Sequence, residues 1–295
     1  MRIVAFNVGG RGHLGVVVGD HVVDLQSIDP AFPDDLAVVL GSDALGLGAI
    51  ARLVERSAGA RKLALAGLDI DLPVRRPGKI ICLGLNYHDH AKEGGNVVAA
   101  WPAVFLRATS SLVAAGRPML VPQVSDKLDF EAEMVAVVGR RTKHAPVATA
   151  LDAIAGYTCF NDGSVRDYQR LTSQWTLGKN FDATGAFGPW MVTADALPPG
   201  ARGLEIESRL NGRVMQSDNT DNMVFPVAET VALMSQAMTL EPGDLLVMGT
   251  PAGVGYARKP AVFMREGDVV EIEIEGIGML SNPIRSEALL QGVPA

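Results

Sequence analysis

Residues 129–138 most constrain the fold, because acidic and apolar side chains alternate there before an apolar, β-branched run. Successive side chains of a strand point to opposite faces, so one face carries three acids and two valines: Asp129, Glu131, Glu133, Val135 and Val137. Like charges at this spacing repel, and carboxylates that enter a core need a compensating cation. A hard divalent ion such as Mg²⁺ or Mn²⁺ fits oxygen ligands. A solvated strand end is the alternative.

The composition predicts a globular protein. The chain has 295 residues, of which 48% are hydrophobic, so it can bury a large core and disorder is not expected. The first residues lack the long apolar segment of a signal peptide, and no apolar run approaches the roughly 18 residues of a membrane span. We therefore expect a cytoplasmic protein with no membrane partner.

Charge and cysteine usage exclude two further classes of site. The formal net charge is −7 and no extended Lys/Arg tract is present, so nucleic acid is not expected as a partner. Cys82 and Cys159 stand alone in apolar runs, without the Cys-x-x-Cys spacing of zinc sites. We interpret them as buried thiols in a reducing compartment.

Residues 1–75 are predicted to form a small N-terminal α/β domain. Two strands surround a glycine-rich turn at residues 9–12, and a helical region includes residues 49–57. Residues 10–15 match Gly-x-Gly-x-x-Gly, but the valines that follow continue a strand, whereas a dinucleotide site needs a helix there. We therefore interpret the segment as a hairpin. The Pro- and Gly-containing residues 73–78 look like a connector.

Residues 76–295 are predicted to form a larger catalytic domain that is mainly β (α+β), with a mixed sheet and peripheral helices. Strand-like runs recur at residues 79–85, 103–106, 134–138, 154–160, 204–210, 245–248 and 269–274. An amphipathic helix is expected at residues 230–238, since Val231, Met234 and Met238 share one face. The chain shows neither an internal repeat nor regular alternation of strands and helices.

A short helix that glycines stop is predicted within residues 86–95. His90 and Glu93 stand at i and i+3, so the carboxylate could orient the imidazole as a general base. The glycines suit a lid that excludes water from a substrate. His88 is a competing base, and an incidental exposed pair is the alternative interpretation.

Two polar groups follow the strand-like run 154–160. Asp162 could complete a metal site with Glu131 and Glu133, although alone it would be a turn residue or a helix cap. Arg166 and Gln169, three residues apart, would project together from a helix. A solvated helix face is the ordinary explanation of such a pair.

Lys179 and Thr250 are candidate contacts for an anion. Lys179 stands among largely uncharged residues, where its ammonium could stabilise an oxyanion or pair with an acid for structure. Thr250 lies in the glycine-rich segment 248–255, whose N–H groups and hydroxyl could hold a carboxylate. This segment lacks the Gly-Lys-Ser/Thr ending of a phosphate loop, so nucleotide binding is not predicted.

Taken in order, these segments resemble the fumarylacetoacetate hydrolase family over residues 79–284. The ordered set is specific, whereas any one motif is weak. The resemblance implies a mixed β-sandwich-like roll as the catalytic domain, and a homodimer. It also implies Mg²⁺ or Mn²⁺ as the cofactor, with Ca²⁺ as a substitute in a crystal.

By position, the resemblance assigns roles to nine residues. The metal ligands are Glu131, Glu133 and Asp162, the dyad of the lid is His90 with Glu93, and the substrate or oxyanion contacts are Arg166, Gln169, Lys179 and Thr250. Two positions depart from the pattern: His88, where many relatives have Arg, and Arg107, where Lys is frequent. Both positions bear on the far end of the substrate, so exact specificity does not transfer.

The function that we expect is hydrolysis of a carbon–carbon bond in a β-diketo acid of the acylpyruvate or fumarylpyruvate type. His90 would draw a proton from the attacking water, Lys179 and Gln169 would stabilise the oxyanion, and the metal would hold the departing pyruvate enolate. Decarboxylation of oxaloacetate, and isomerisation or hydration of a related keto acid, are alternatives that use the same enolate. A catalytically silent β-domain that binds an anionic ligand is the alternative from another class.

Overall fold

The computed structural model describes residues 1–93 and 100–289. Its strands are β1 (Arg2–Val8), β2 (Arg11–Val18), β3 (His21–Asp24), β4 (Lys62–Ala64), β5 (Asp69–Ile70), β6 (Ile80–Gly84), β7 (Ala103–Leu106), β8 (Leu112–Ala114), β9 (Met119–Val121), β10 (Leu128–Asp129), β11 (Ala132–Val138), β12 (Ile154–Asp162), β13 (Ser164–Val165), β14 (Gly185–Thr193), β15 (Glu205–Leu210), β16 (Arg213–Asn219), β17 (Leu245–Val247), β18 (Val269–Ile274) and β19 (Gly278–Ser286). Its α-helices are α1 (Leu36–Leu40), α2 (Gly46–Glu55), α3 (His88–Glu93), α4 (Arg166–Gln169), α5 (Thr176–Lys179) and α6 (Val227–Ala237).

Most strands belong to one mixed sheet with the order β4-β3-β2-β1-β14-β12-β11-β17-β6-β7, to which β5 and β8 add at β1 and β14. A second sheet has the order β16-β15-β18-β19-β9 and contacts β11, β12 and β14, with apolar side chains between the two sheets. Helices α1 and α2 join a second apolar cluster with residues of β11 and β12. The predicted mainly β, α+β architecture is therefore confirmed.

The predicted N-terminal hairpin is present. Strands β1 and β2 pair up to Val8 opposite Arg11, and Gly9 and Gly10 make the turn with φ values of 56° and 77°, which favour glycine. Strand β1 also pairs with β14, with Ile3 opposite Met191. The large sheet thus runs from the N-terminal residues into the rest of the chain, and the division near residue 75 stays a prediction.

The helices predicted at residues 49–57 and 230–238 are present as α2 and α6, and the short helix predicted within residues 86–95 is present as α3. Helix α2 begins at Gly46, and α6 begins directly after Pro226. Proline suits the start of a helix, because the first N–H groups of a helix have no partner within it and proline has no N–H. Within the described part of the chain, no helix has the length and apolar character needed to cross a membrane.

The change from acidic to apolar side chains on one face of β11 is also present. Glu133 is followed on that face by Val135 and Val137, which belong to the same apolar cluster as Ile50 and Leu53 of α2. The acids therefore lie at the start of β11, next to a packed region that holds the strand in place.

Candidate metal centre and active site

Three buried carboxylates meet at one end of the central strand pair. Glu131 directly precedes β11, Glu133 is its second residue, and Asp162 is the last residue of β12. The N–H of Asp162 donates to the carbonyl of Glu131 at 3.0 Å, so these two residues lie opposite each other. Residues that lie opposite each other, or two apart on a strand, share a face. One carboxylate oxygen of each residue lies within 4.8 Å of the other two.

This donor set fits a hard divalent cation. Carboxylate oxygens are the ligands that Mg²⁺ and Mn²⁺ prefer. Burial, together with repulsion by Asp162 and Glu131, raises the pKa of the Glu133 carboxyl well above its ordinary value. The same carboxylate accepts a hydrogen bond from the N–H of Gly249 at 2.6 Å. A cation at the three acids would relieve their repulsion, so the residues present suit a metal ion.

Lys179, at the end of α5, links two of the acids. Its Nζ donates to Glu131 Oε2 and to Asp162 Oδ2, each at 2.5 Å. Burial lowers the pKa of this ammonium, but Asp162 and Glu131 raise it overall, so Lys179 is charged. The ion pair with an acid, one of the two roles that the sequence left open for Lys179, is therefore present. Lys179 also lines a cavity beside the triad.

Arg166, at the start of α4, supplies the second cation beside Glu131. Its Nη2 donates to Glu131 Oε1 at 2.7 Å. Burial raises the pKa of the Glu131 carboxyl, but the charges of Arg166 and Lys179 lower it overall, well below its ordinary value. Glu131 is therefore ionised without a metal ion, whereas ionisation of Glu133 would be favoured by a bound cation.

Asp129 has a different role from the other two acids of its segment. Its carboxylate accepts from the N–H of Gly255 at 2.7 Å, from the N–H of Tyr256 at 3.0 Å and from Nε of Arg166 at 2.8 Å. It belongs to the separate strand β10, which pairs with β13. Asp129 thus holds a loop and an arginine in place and lies outside the carboxylate triad.

Arg107 lies behind the triad. Its Nη1 donates to Asp162 Oδ1 at 2.5 Å and to the carbonyl of Gly163 at 3.2 Å, while Nη2 donates to Thr184 Oγ1 at 2.9 Å. Its side chain is fully buried, and it is not among the described residues that line the cavity. In this position Arg107 holds Asp162 in place, and its expected contact with a substrate stays a prediction.

The triad opens into a cavity of about 270 Å³. Its wall includes the predicted residues Arg166, Gln169, Lys179 and Thr250. Gln169 Oε1 accepts from Arg166 Nη1 at 2.9 Å, and Thr250 Oγ1 accepts from Gln216 Nε2 at 2.7 Å. These bonds hold both polar side chains at the wall.

Helix α3 brings His90 to the same cavity. Its Nδ1 lies 3.6 Å from Glu93 Oε2, and the Glu93 carboxylate accepts from the N–H of Gly253 at 3.1 and 3.2 Å. Burial raises the pKa of Glu93, but His90 and the Gly253 N–H lower it overall, so the carboxylate is ionised. Glu93 is therefore placed to orient the imidazole.

The competing base His88 is exposed and does not line the described cavity, so the structure favours His90. The glycines predicted to form a lid, Gly94 and Gly95, lie outside the described residues.

Besides Leu83, Gly84 and Leu85, sequence reasoning missed one cation and three aromatic residues of the cavity wall: Arg170, Phe105, Trp175 and Tyr256. The Tyr256 ring centre lies 4.4 Å from the guanidinium carbon of Arg166 and 4.5 Å from that of Arg170. The spacing from Arg166 to Arg170 is i to i+4, which places both on one helix face and could have indicated Arg170. The aromatic residues carry no such pattern, because distant parts of the fold bring them together.

Comparisons with known proteins agree with this site. The family model described as fumarylacetoacetate (FAA) hydrolase C-terminal matches residues 79–285. The chain is 39% identical to the oxaloacetate tautomerase Fahd2a, mitochondrial, of Rattus norvegicus, over 96% of this chain and 91% of that protein. The structure matches a fumarylacetoacetate hydrolase of Exiguobacterium antarcticum with a TM-score of 0.83 and 32% identity, over 97% of this chain and 100% of the other.

A second solved structure contains a metal. It is a maleylpyruvate hydrolase from Sphingobium sp. SYK-6 in complex with manganese(II) and pyruvate, with a TM-score of 0.80 and 28% identity. The match covers 97% of this chain and 99% of that one.

One expectation is wrong on this comparison. The rat relative, like its bovine and human counterparts, is named as a mitochondrial protein, which contradicts the predicted cytoplasmic location. The family model covers more than half of the chain. This chain is an enzyme that belongs to the fumarylacetoacetate hydrolase family.

Proposed function

We propose that the chain is a divalent-metal-dependent tautomerase that interconverts the keto and enol forms of oxaloacetate. One observation carries the proposal: three carboxylates suited to a metal and the imidazole of His90 face one cavity. The name of the rat relative supports oxaloacetate as the substrate. The expected isomerisation of a keto acid, stated above as an alternative to hydrolysis, is therefore the better supported reaction.

The metal would be held by Glu131, Glu133 and Asp162. When bound, Mg²⁺ or Mn²⁺ supplies Lewis acidity toward the oxygens of a 2-oxo acid. Arg166 and Lys179 keep Glu131 ionised, and Arg107 orients Asp162 from behind. The manganese in the Sphingobium maleylpyruvate hydrolase supports a metal of this kind.

The reaction needs one proton to move from carbon to oxygen. We assign His90, oriented by Glu93, to accept the proton from C3 of oxaloacetate. As the C3–H bond breaks, its electron pair forms the C2–C3 double bond and negative charge develops on the C2 oxygen. Lys179, which is charged, and Gln169 stabilise that charge until the oxygen takes up a proton. No other reactant is consumed.

Hydrolysis of a carbon–carbon bond in an acylpyruvate is the second candidate. The Sphingobium structure favours it, because that hydrolase binds pyruvate and matches nearly all of this chain. In this reaction His90 would deprotonate a water molecule instead of C3. Both candidates use the same residues, so the substrate must separate them.

A panel of substrates tests the proposal. Protein stripped with a chelator and restored with Mg²⁺ or Mn²⁺ is assayed with oxaloacetate, acetylpyruvate and fumarylpyruvate. We expect the loss of the enol absorbance of oxaloacetate to be fast without release of carbon dioxide, and to require the metal. Cleavage of acylpyruvates without tautomerisation of oxaloacetate would make the chain a hydrolase and refute the proposal.

The homodimer stays a prediction of the resemblance, which light scattering of the purified protein tests.

A further inference from the structure

We propose that Arg170 binds the second carboxylate of the substrate and thereby selects dicarboxylic over monocarboxylic 2-oxo acids. This inference rests on the proposed function, because it places the 2-oxo acid end of the substrate at the carboxylate triad. It adds the residue that recognises the opposite end.

Arg170 stands at the edge of the cavity. It directly follows α4, and its backbone N–H donates to carbonyls of the last turn, those of Asp167 and Tyr168. Its side chain is exposed, lines the cavity, and lies with its guanidinium carbon 4.5 Å from the centre of the Tyr256 ring. An exposed cation at the edge of a buried site can reach the end of a ligand that the triad holds.

The two arginines beside Tyr256 differ in their partners. Arg166 is buried and donates to two carboxylates, those of Asp129 and Glu131. For Arg170, no carboxylate of the described residues lies within 4.0 Å. The segments 94–99 and 290–295 lie outside the described residues, and their sequences contain no Asp or Glu. An aromatic ring holds a guanidinium without neutralising its charge, so Arg170 keeps its charge for a ligand.

The backbone that carries the Tyr256 ring is held in place. The backbone N–H of Tyr256 donates to Asp129, which also holds Arg166. The position of Arg170 is thus tied to the same carboxylate that orders the wall beside the triad. A prearranged guanidinium recognises a carboxylate with two parallel hydrogen bonds and loses little entropy on binding.

The charge of the cavity also suits a dianion. Its wall carries three carboxylates and three cations, which are Arg166, Arg170 and Lys179. Just behind the wall, Arg107 and Asp129 balance each other, and Glu93 lies beside His90. For the groups on the wall alone, a bound divalent ion would leave two positive charges in excess, and a 2-oxo dicarboxylate such as oxaloacetate carries two negative ones. Removal of Arg170 would leave one positive charge in excess, which the single carboxylate of a 2-oxo monocarboxylic acid neutralises.

The test compares binding of oxaloacetate with binding of pyruvate, which has the same 2-oxo acid end and lacks the second carboxylate. Trp175 lines the cavity, so rapid-mixing tryptophan fluorescence on the Mg²⁺-loaded protein reports binding before oxaloacetate decays. We expect Arg170→Met to weaken oxaloacetate binding by roughly 10-fold to 100-fold, the effect of one lost charged hydrogen-bond pair, and to change pyruvate binding less than about twofold. Arg170→Lys should restore part of the loss.

Arg140→Met is the matched control. Arg140 is exposed and lies beyond the end of β11 opposite to the acids, so its loss should leave both affinities unchanged. In the tautomerase assay, Arg170→Met should raise KM for oxaloacetate and leave kcat within a few-fold. An equal loss of affinity for both ligands, or none for oxaloacetate, would refute the role of Arg170. Selective oxaloacetate binding without tautomerisation would refute the proposed function and leave this inference standing.

Discussion

Buried acids occur in two regions of this protein, and they are stabilised in opposite ways. Asp244, in the turn before β17, accepts from the N–H of Lys79 at 2.9 Å and from the N–H of Glu241 at 2.7 Å, and its charge is met by Lys79 Nζ at 2.6 Å. It does not line the described cavity. The carboxylates of the triad face one another and a cavity instead. Full pairing away from a cavity marks an acid that holds the chain, whereas mutual repulsion at a cavity marks acids that serve a ligand.

Glu133 and Asp244 offer the strongest test of this comparison. Glu133→Gln keeps the shape of the side chain and an oxygen for the N–H of Gly249, but it removes one metal ligand. We expect Mn²⁺ affinity in calorimetry to fall steeply and the metal-dependent activity to fall on the order of 10³-fold, because several kcal/mol of charge stabilisation depend on the ion.

Asp244→Asn is the control for that experiment and should keep Mn²⁺ affinity within about twofold, since Asp244 lies away from the triad. Unchanged affinity in Glu133→Gln would remove Glu133 from the metal site. Equal loss of affinity in both variants would mean that the two regions do not differ as described.

A substitution of His90 distinguishes the role of the general base from that of the metal. His90→Ala should lower kcat by roughly 10²-fold or more, the usual effect of losing a positioned general base, and should retain Mn²⁺ binding. His88→Ala, on the exposed side of the same helix, should leave kcat nearly unchanged. If the His88 variant loses activity and the His90 variant keeps it, the base has been assigned to the wrong histidine.

The carboxylate triad could be predicted from the alternation of side chains on a strand together with the family resemblance. The contacts of the residues around the triad could not be predicted. Two residues apart on a strand, Glu131 and Glu133 must share a face. Asp162 reaches them only because β12 pairs with β11, a contact between distant segments that the family resemblance anticipated. The contacts of Asp129 and Arg107 also depend on distant partners, which neither the strand pattern nor the family resemblance indicates.

The central strand β14 shows the same limit for the fold. It contains Gly185, Gly188 and Pro189, which are typical of turns and not of interior strands. Even so, it pairs with β12, β1 and β8. No pattern within the segment predicts this, because the pairing depends on neighbours that surround the strand. The strands 103–106 and 269–274 have ordinary strand composition and match their predicted ranges.

Stability should distinguish the two regions by the sign of the effect. In chelator-treated protein, Asp244→Asn removes a buried charge from two N–H donors and an ammonium and should lower the free energy of unfolding by about 1–3 kcal/mol. Glu133→Gln removes a repelling carboxylate and should leave that free energy equal or slightly higher. Urea unfolding at pH 7 measures both. A clear loss of stability in Glu133→Gln would show that its carboxylate also holds the fold together.

The smallest expected effect concerns Cys159, on the face of β12 that packs in the apolar cluster between the two sheets. Burial raises the pKa of this thiol to about 12, from an ordinary value of 9.0. A raised pKa means that the folded protein favours the protonated thiol. Its contribution to stability is therefore complete below about pH 9 and is lost as the pH rises toward 12, with a slope of at most about 1.4 kcal/mol per pH unit.

Cys159→Ala should lower stability at pH 8 through lost packing, and the difference from the unmodified protein should shrink between pH 9 and pH 10.5 in urea titrations. Cys82, also buried with a raised pKa, lies on β6 and supplies the control, because Cys159→Ala leaves its contribution in place. Neither thiol should react with iodoacetamide at pH 8 until urea unfolds the chain. A difference that stays constant with pH would mean that Cys159 stabilises the fold by packing alone, and that burial at the apolar face does not govern its ionisation as it governs that of Glu133.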